Sequence, residues 1–510
     1  MARRGRVLLY DASGKPIVAS GWDASSQAKR ATHWKPTSQS LNALLSGELS
    51  TLRARSRDEF RRNAWAASAS ETRVVSLVGD GIRPKPDTDD ETFRREILSA
   101  WAQWVDDCDV DGTSSFYGLQ ALTARGAFEG GDGLLRFRPR RPGDGLAVPL
   151  QLQALEAEML DHTKNQSLPN GGVIKAGIEF DMIGRRVAYW LFRDHPGEMI
   201  RFRTDSRSVR IPADQVVHVF HVLRAGQVRG VPGLSTVLAM LHEIREVDDA
   251  HVLKVKIHNL YATFEEVPAE DAASVLDAIA DVGEDEDEVP ITTAAPAAHV
   301  LLPPGHKMSY GQPPKDSTDY EAFIRTKLRE IASGAGVTYE QISGDLSGVN
   351  FSSIRAGLIE FRRQMDQIQC QVLIFQLCRP VWRRWFETAV LSGEIKIPEA
   401  ERPRMFQLLR AHWQPPGWEY VEPEKDIRAA VRRIRAGLSS RSIEAAKLGR
   451  DVEELDRQLA AEKKRAKELG LVFDTDPGTD ADGAARAAAV TDPAEPGEAG
   501  SAEEVGQAAA

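Results

Sequence analysis

Apolar residues recur at helical spacing along a long stretch in the middle of the chain. One helical face is marked by two sets of such residues: Val237, Leu241 and Ile244, then Leu253, Ile257, Leu260 and Phe264. Because an amphipathic helix buries such a face against a neighbour, we predict one helix over residues 234–267. It would be about 50 Å long at the usual rise per residue.

Two further helices follow an intervening segment. The second is predicted over residues 317–333, from a capping-box pattern at its start and glycines at its end. The third is predicted over residues 352–392, where large apolar residues keep helical spacing. Pro380 should kink this third helix, since proline removes a backbone donor and clashes with the preceding turn.

A polar loop rich in glycine separates the second helix from the third. Its sequence, Gly-Asp-Leu-Ser-Gly-Val-Asn at residues 344–350, combines glycine with short polar side chains, which is typical of a turn. Two interpretations are open. The loop is either an exposed functional segment or a crowded turn between two helices.

The N-terminal half predicts helices first and an antiparallel sheet afterwards. Helical spacing of apolar residues begins near residue 44 and recurs at 91–109 and 114–129, and short apolar or alternating runs follow over residues 134–220. This order, without regular alternation of strand and helix, indicates an α+β fold class.

The C-terminal part predicts a helical region followed by a polar tail. Helices are expected at 424–435, 442–448 and 451–469, the last rich in alternating charges and ended by Gly470. From residue 474 the chain has almost no large apolar side chains, so we expect it to be disordered.

Composition fits an ordinary globular protein with two or three domains, since the chain has 510 residues, 42% of them hydrophobic and 27% charged. No apolar run approaches the ~20 residues of a membrane-spanning helix, so membrane insertion is not expected. The three cysteines lack the paired spacing of a zinc site, which favours free thiols in a reducing compartment. A net charge of −10 argues against a protein that wraps nucleic acid by neutralising phosphates.

Enzyme motifs give no candidate active site. The sequence has no zinc-binding His-Glu-x-x-His helix, phosphate-binding loop or nucleophile elbow, so we predict no cofactor, no resident metal and no catalytic residue. Asp106, Asp107, Asp109 and Asp111 could chelate a divalent ion, but the spacing of a calcium-binding loop is missing. A solvated helix end is the simpler interpretation.

Several segments resemble phage portal proteins of the lambda family, and their order covers the chain up to about residue 472. They are residues 52–57, 63–67, 78–82, 128–132, 177–181, 212–220, 227–232 and 344–353. The clearest of them is Gln-Val-Arg-Gly-Val-Pro at residues 227–232.

The resemblance implies the phage portal fold, with an α+β wing, a helical stem, a small α/β clip and a helical crown. The implied parts are an N-terminal arm (1–60), the wing (61–233), a first stem helix (234–267), the clip (268–316), a second stem helix (317–333), a tunnel-loop region (334–351), a long kinked wing helix (352–392), the crown region (393–472) and a disordered tail (473–510).

The resemblance also implies a function without catalysis. Portal proteins form a ring, commonly dodecameric, at one capsid vertex of the virion, and are made in the host cytoplasm during assembly. Double-stranded DNA passes through the ring during packaging and ejection without sequence-specific recognition. The implied partners are the other subunits of the ring, the terminase large subunit, head–tail connector proteins, the major capsid protein and the scaffold. No membrane is involved.

Two sets of candidate functional residues follow from the resemblance. The tunnel loop would face DNA with Gly344, Asp345, Ser347, Gly348 and Asn350, and the clip would meet the packaging motor and the connector with Glu284, Asp285, Glu286, His306 and Lys307. The acidic run in the clip can also be an ordinary solvated loop.

Two alternative functions stay open at this point. One is a structural adaptor of the virion head that forms no channel. The other is a metal-dependent nuclease that uses the acidic residues between Asp106 and Asp111. A DNA-sized hole in a ring distinguishes the channel from the adaptor, and magnesium-dependent DNA cleavage would identify the nuclease.

Overall fold

The computed structural model describes residues 37–200, 207–260, 320–348 and 350–471, together with residues 9–10, 16–17, 264–265 and 300–301. The two short N-terminal segments form antiparallel strands β1 (Leu9–Tyr10) and β2 (Pro16–Ile17). The chain divides into two compact units, Met1–Pro416 and Gly417–Ala510. Each unit is described by itself.

Two consecutive helices follow in the first long described stretch of the first unit. They are α1 (Leu41–Arg62) and α2 (Ala64–Val78). The side chain of Asn63 accepts hydrogen bonds from the backbone N–H groups of Trp65 and Ala66, so it caps α2 where α1 ends. The boundary that we drew at residue 60 between arm and wing therefore lies inside α1.

An aromatic cluster forms the centre of the next layer. Helices α3 (Glu91–Asp107) and α4 (Phe116–Glu129) follow a short strand, β3 (Arg83–Lys85). Trp101 of α3 lies 5.3 Å from Phe116 of α4, measured between ring centroids. Both are buried, which explains the helical spacing of aromatic residues in the sequence.

Two antiparallel sheets follow, as the α+β prediction requires. The smaller sheet has the order β11-β4-β5, and the larger has the order β10-β9-β8-β7-β6. Their strands are β4 (Gly133–Pro139), β5 (Leu150–Leu155), β6 (Gln166–Ser167), β7 (Val173–Lys175), β8 (Ile178–Phe180), β9 (Arg186–Leu191), β10 (Val209–Pro212) and β11 (Val216–Val219). Strands β8 and β9 pair antiparallel, within the region of residues 134–220 where short strands were predicted.

The first stem helix is shorter than we predicted. Helix α5 spans Leu238–Leu260, and residues 234–237 form a turn before it. Phe264–Glu265, which we placed in this helix, is strand β12, paired in parallel with β13 (Val300–Leu301). The prediction up to residue 267 was therefore wrong. One reason is that Pro268 disfavours helical backbone at the residue before it.

The second stem helix and the wing helix lie close to their predicted positions. They are α6 (Tyr320–Ala335) and, after the short helix α7 (Tyr339–Ser343), the helix α8 (Phe351–Ile368). Gly336, with φ of +68°, follows α6 in the left-handed region that glycine adopts without strain. Helix α7 was not predicted, because five residues are too few to show a helical period.

The wing helix contains a π-helical segment just before Pro380. A π-helical segment, Gln369–Cys378, joins α8 to α9 (Arg379–Ser392), and Pro380 lies in the first turn of α9. Because α9 continues directly from the π-helical segment, the missing N–H of Pro380 lies next to the change of hydrogen-bond register. The kink at Pro380 stays a prediction, and what the structure shows is a change of hydrogen-bond register just before the proline.

Two glutamines attach the π-helical segment to the rest of the unit. The amide nitrogen of Gln369 donates to the carbonyls of Ser76 and Leu77 at 3.3 and 3.0 Å. Gln376 exchanges two hydrogen bonds with the backbone of Phe220, at 2.9 and 3.1 Å. These bonds satisfy buried peptide groups at the end of α2 and just beyond β11.

The first unit ends with a short strand pair. After α10 (Met405–Leu408), strand β14 (His412–Gln414) pairs antiparallel with β3. Neither strand was predicted, since three-residue runs carry too little alternation. The wing helix also adds Trp382 and Trp385 to the aromatic cluster, where Trp385 lies 4.8 Å from Trp101.

The second unit contains the predicted C-terminal helices. They are α11 (Pro423–Arg435), α12 (Arg441–Lys447) and α13 (Val452–Leu469), and Gly470 ends the last with φ of +67°. Arg433 donates to Glu444 at 3.1 Å, and hydrogen bonds from Arg433, Ser439 and Lys447 together lower the pKa of Glu444 to about 2. The predicted disordered tail at 473–510 lies outside the described residues.

Candidate functional site

The predicted loop at 344–350 is held between a capped helix on one side and the wing helix on the other. Thr338 and Gln341 form a reciprocal capping box at the start of α7. Gly344 ends α7 with φ of +69°, and its N–H donates to the carbonyl of Glu340 at 2.9 Å. The loop therefore begins at a fixed backbone direction.

Asp345 organises the first half of the loop. Its Oδ1 accepts hydrogen bonds from the backbone N–H and the hydroxyl of Ser347, at 2.9 and 2.6 Å. Its Oδ2 accepts from the Tyr339 hydroxyl at 3.0 Å, and Arg325 lies 3.8 Å away. The bonds from Ser347, then that from Tyr339, lower the pKa of Asp345 to about 2, so the carboxylate is ionised at neutral pH.

Asn350 fixes the other end of the loop. Its Oδ1 accepts from the backbone N–H of Ser353 at 2.9 Å, which makes it the N-cap of α8. Asp345 and Asn350 thus support the loop with their side chains, whereas Ser347 and Gly348 are exposed at its tip. Leu346, which we did not predict, is also exposed, to 64%. Val349 is not among the described residues.

Arg73 connects the wing to the end of the second stem helix. Its Nη1 donates to the carbonyls of Ala335 and Gly336 at 3.0 and 3.2 Å, and its guanidinium lies 4.7 Å from the centre of the Phe128 ring. A cation at a helix C-terminus is favoured by the helix dipole. Burial lowers the pKa of Arg73 to about 10, which still leaves it charged at neutral pH.

Helices α5 and α6 contact each other through Tyr320, the first residue of α6. The rings of His251 and Tyr320 are stacked, 4.0 Å apart at 6°. The Tyr320 hydroxyl donates to the Asp248 carboxylate. Burial and this aspartate raise the pKa of Tyr320 to about 12. The contact joins α5 to the N-terminal end of α6, whereas Arg73 binds at the C-terminal end of α6.

A buried ionic cluster lies in the wing, and the sequence reasoning missed it. Asp132 is fully buried and accepts from Arg53 at 3.1 Å, from Arg229 at 2.8 Å and from His218 at 2.9 Å. The N–H of Gly230 donates to the same carboxylate at 2.7 Å. Every group in this Asp132 cluster comes from a segment that carried the resemblance.

The Asp132 cluster determines the charge states of Asp132 and His218. Burial would raise the pKa of Asp132, but Arg229, His218 and Arg53 together hold it well below its usual range. Burial lowers the pKa of His218, against the opposing effect of Asp132. A neutral His218 that donates from Nε2 to Asp132 fits both effects. The cluster therefore joins three distant segments around one carboxylate.

Asp109, one of the acidic residues considered for a nuclease, stabilises a turn. Asp109 is buried and accepts from the N–H groups of Asp111, Thr113 and Ser114 at 3.2, 2.9 and 3.0 Å. Its oxygens thus shape the turn after α3. The side chains of Asp106 and Asp107 are exposed.

A possible metal group is found elsewhere among the described residues. Glu156, Glu158 and His195 could together offer three ligand atoms to one ion. However, Arg57 donates to both oxygens of Glu158 at 2.7 and 3.0 Å and lies 3.6 Å from Glu156. A guanidinium therefore supplies the positive charge that these carboxylates need.

The clip candidates cannot be placed. Glu284, Asp285, Glu286, His306 and Lys307 lie outside the described residues.

None of the helices in the described part of the chain is long and apolar enough to cross a membrane.

Comparison with known proteins identifies the family. A sequence profile described as phage portal protein, lambda family, matches residues 27–369. The chain belongs to this family of structural proteins of the virion, so the resemblance seen in the sequence is confirmed.

Individual relatives agree over most of the chain. The probable portal protein of Halomonas phage phiHAP-1 is 29% identical over 477 residues, covering 90% of this chain and 89% of that protein. Portal protein B of Escherichia phage lambda is 25% identical over 480 residues, covering 86% and 88%. A chain from the neck of a native gene transfer agent particle, computed with C12 symmetry, aligns with a TM-score of 0.43 at 15% identity, covering 79% of this chain and 93% of that chain.

Proposed function

We propose that this chain forms a closed, dodecameric ring at one vertex of the capsid and that duplex DNA passes through its centre during packaging and ejection. Membership of the portal family over residues 27–369 carries the proposal. The ring acts as a conduit and an assembly platform and catalyses no reaction. It assembles in the host cytoplasm and stays in the virion.

Exposed apolar residues on the stem support a ring. In the single chain, Val252 and Leu253 of α5 are 49% and 57% exposed, and Phe323 of α6 is 44% exposed. Apolar side chains grouped on neighbouring helices favour burial against another protein surface. Identical subunits standing side by side would cover them.

The chemistry of the loop at 344–350 suits contact with moving DNA. Its exposed tip offers a hydroxyl, a glycine and an apolar side chain, and no lysine or arginine. A basic loop would bind phosphates with strongly salt-dependent affinity. We propose that Leu346, Ser347 and Gly348 touch DNA, while Asp345 and Asn350 hold the loop in place.

The partners belong to the same proposal. Residues 268–316 would dock the terminase large subunit and later the head–tail connector proteins, with the wing against the major capsid protein and the scaffold. The acidic run at 284–288 would present carboxylates to a basic partner surface. Reversing the charges of Glu284, Asp285 and Glu286 should then weaken terminase binding in a pull-down without changing ring formation.

Electron microscopy and native mass spectrometry of the purified protein test the ring. The expected result is a closed ring with a central hole wide enough for duplex DNA. A ring without such a hole would favour the structural adaptor, and a protein that stays monomeric at high concentration and in assembling capsids would contradict the proposal.

A further inference from the structure

A wide cleft in the first unit is lined by arginines. It lies beside α9 and the edge of β11, has a volume of about 990 Å³ and carries Arg379, Arg383, Arg384 and Arg410. This volume is at the upper end of the ~300–1,000 Å³ usual for binding clefts. Phe375 also lines the cleft and is 61% exposed.

The arginines of this cleft keep their capacity to bind anions. Arg379 lies 5.6 Å from the centre of the Phe375 ring, and Arg384 lies 5.9 Å from that of Phe137. A guanidinium beside an aromatic face still presents its N–H edge to a carboxylate. Within the described residues, none of the four guanidinium groups forms an ion pair.

The cleft also contains acidic residues. Asp87, Asp214 and Glu387 line it. Asp87 lies 4.0 Å from His412, and none of the three carboxylates is within ion-pair distance of the cleft arginines. The cleft is therefore a mixed surface that is rich in free guanidinium groups, which suits a folded protein surface better than a nucleic-acid backbone.

An acidic turn on the same chain has complementary properties. Asp106, Asp107 and Asp111 are exposed around the end of α3, and in the described part of the chain their carboxylates make no ion pair. Asp109 lies between them and holds the turn through the hydrogen bonds given above. The three free carboxylates are thus presented on a fixed backbone.

The cleft and the acidic turn both border one sheet but lie on different strands of it. The acidic turn is attached to β5, because the N–H of Leu152 donates to the carbonyl of Cys108 at 2.6 Å and the N–H of Val110 donates to the carbonyl of Leu152 at 3.0 Å. The cleft is lined by Val216 of the other edge strand, β11, and by Phe137 of the central strand, β4. Among the described residues, no ion pair joins the arginines of the cleft to the aspartates of the turn.

We propose that the acidic turn of one subunit inserts into the arginine cleft of the next subunit. Cyclic symmetry joins two different surfaces of identical chains, and two unpaired surfaces of opposite charge on different elements meet that requirement. The inference rests on the proposed ring. It adds the specific contact between wings that fixes the orientation of one subunit against its neighbour.

A charge exchange tests the contact. R383E/R384E and D106R/D107R should each lower the fraction of protein in rings by about tenfold near 0.1 M salt, since like charges then face each other. The variant that combines all four substitutions should recover rings. The exposed α8 substitution E360R serves as a control and should leave rings unchanged, and circular dichroism of each variant checks that the subunit is folded.

Cysteine cross-linking gives an independent readout. In a C370S background, D107C with R383C should form a ladder of disulfide-linked multimers on oxidation, while either cysteine alone should not. If rings form normally with both charge reversals, or if the combined variant fails to recover rings and no ladder forms, the contact is wrong although the ring proposal stands. If the unaltered protein forms no ring at all, the proposed function itself fails.

Discussion

The Asp132 cluster gives the sharpest test of what holds the wing together. Substituting Asp132→Asn keeps the shape of the side chain but removes the charge that Arg53 and Arg229 share. Arg53 keeps Glu158 at 3.9 Å, whereas the remaining contacts of Arg229 are the carbonyls of Ala176 and Ala157. Removing one partner of a buried ion pair costs about 3–5 kcal/mol. Because Arg53 keeps Glu158 as a partner, we expect the free energy of unfolding to fall by the lower value, about 3 kcal/mol.

Urea unfolding of the monomeric protein, followed by tryptophan fluorescence, measures this effect. Trp101, Trp104, Trp382 and Trp385 are buried in the same unit and report its unfolding. Protein concentration must be matched, since ring formation would stabilise the folded state by mass action. The exposed substitution Asp144→Asn is the control and should change the free energy of unfolding by less than about 0.5 kcal/mol.

The pH dependence of the difference follows from the pKa shift. The folded-state pKa of Asp132 is depressed, so its contribution is complete above the unfolded pKa of about 3.9 and is lost as pH falls below that value. The difference in unfolding free energy between the unaltered protein and the Asp132→Asn variant should therefore disappear in acid. A difference below about 1 kcal/mol at neutral pH would refute the reasoning that Asp132 is the shared counterion of two buried arginines.

Three further predictions concern the attachment of the loop and the packing of the wing. Arg73→Met should lose the bonds to Ala335 and Gly336, destabilise the end of α6 by about 1–3 kcal/mol and speed amide exchange there. Gly230→Ala should lower the free energy of unfolding in urea by about 3 kcal/mol, since the added Cβ would lie 1.7 Å from the carbonyl oxygen of Gly131. Gly348→Ala is the control, because Gly348 has open space around it. Asp345→Asn should speed exchange of the Ser347 amide at neutral pH. In the unaltered protein that amide should lose its protection as pH falls from about 4 towards the folded pKa of about 2, because the depressed pKa stabilises the loop only while the carboxylate is ionised.

Helices with clear ends were predictable from the sequence. The three C-terminal helices were placed within a residue or so of their observed limits, because Ser440, Asp451 and Gly470 supply the capping chemistry that marks such limits. The wing helix was predicted from the helical spacing of its apolar residues, and in the structure Asn350 and Gly393 cap its two ends.

Other elements could not be read from local pattern. Strand β6 is the exposed pair Gln166–Ser167, which has no apolar alternation and exists only because β7 pairs with it. The π-helical register depends on contacts of Gln369 and Gln376 with distant backbone groups. Helix α5 ends early for a similar reason, since Phe264–Glu265 pairs with a strand far along the chain.

The functional role of the predicted loop stays a prediction, and the division of roles within it could not be read from the sequence. Asp345 and Asn350 make the supporting bonds, and Leu346, which was not among the predicted residues, is exposed. The Asp132 cluster was missed because its partners lie 79 and 97 residues away in sequence. One signal was available in the sequence: Asp132 lies inside the glycine-rich segment at 130–133, next to a strand. A charge buried at such a position needs a partner.

The position of the loop in the assembled ring tests the central claim most directly. A reconstruction of the ring by electron cryomicroscopy gives the distance of each residue from the symmetry axis. We predict that Leu346, Ser347 and Gly348 lie nearest to the axis among the residues described in the present structure, with α5 and α6 around the channel. A loop on the outer wall of the ring, away from the channel, would contradict the account.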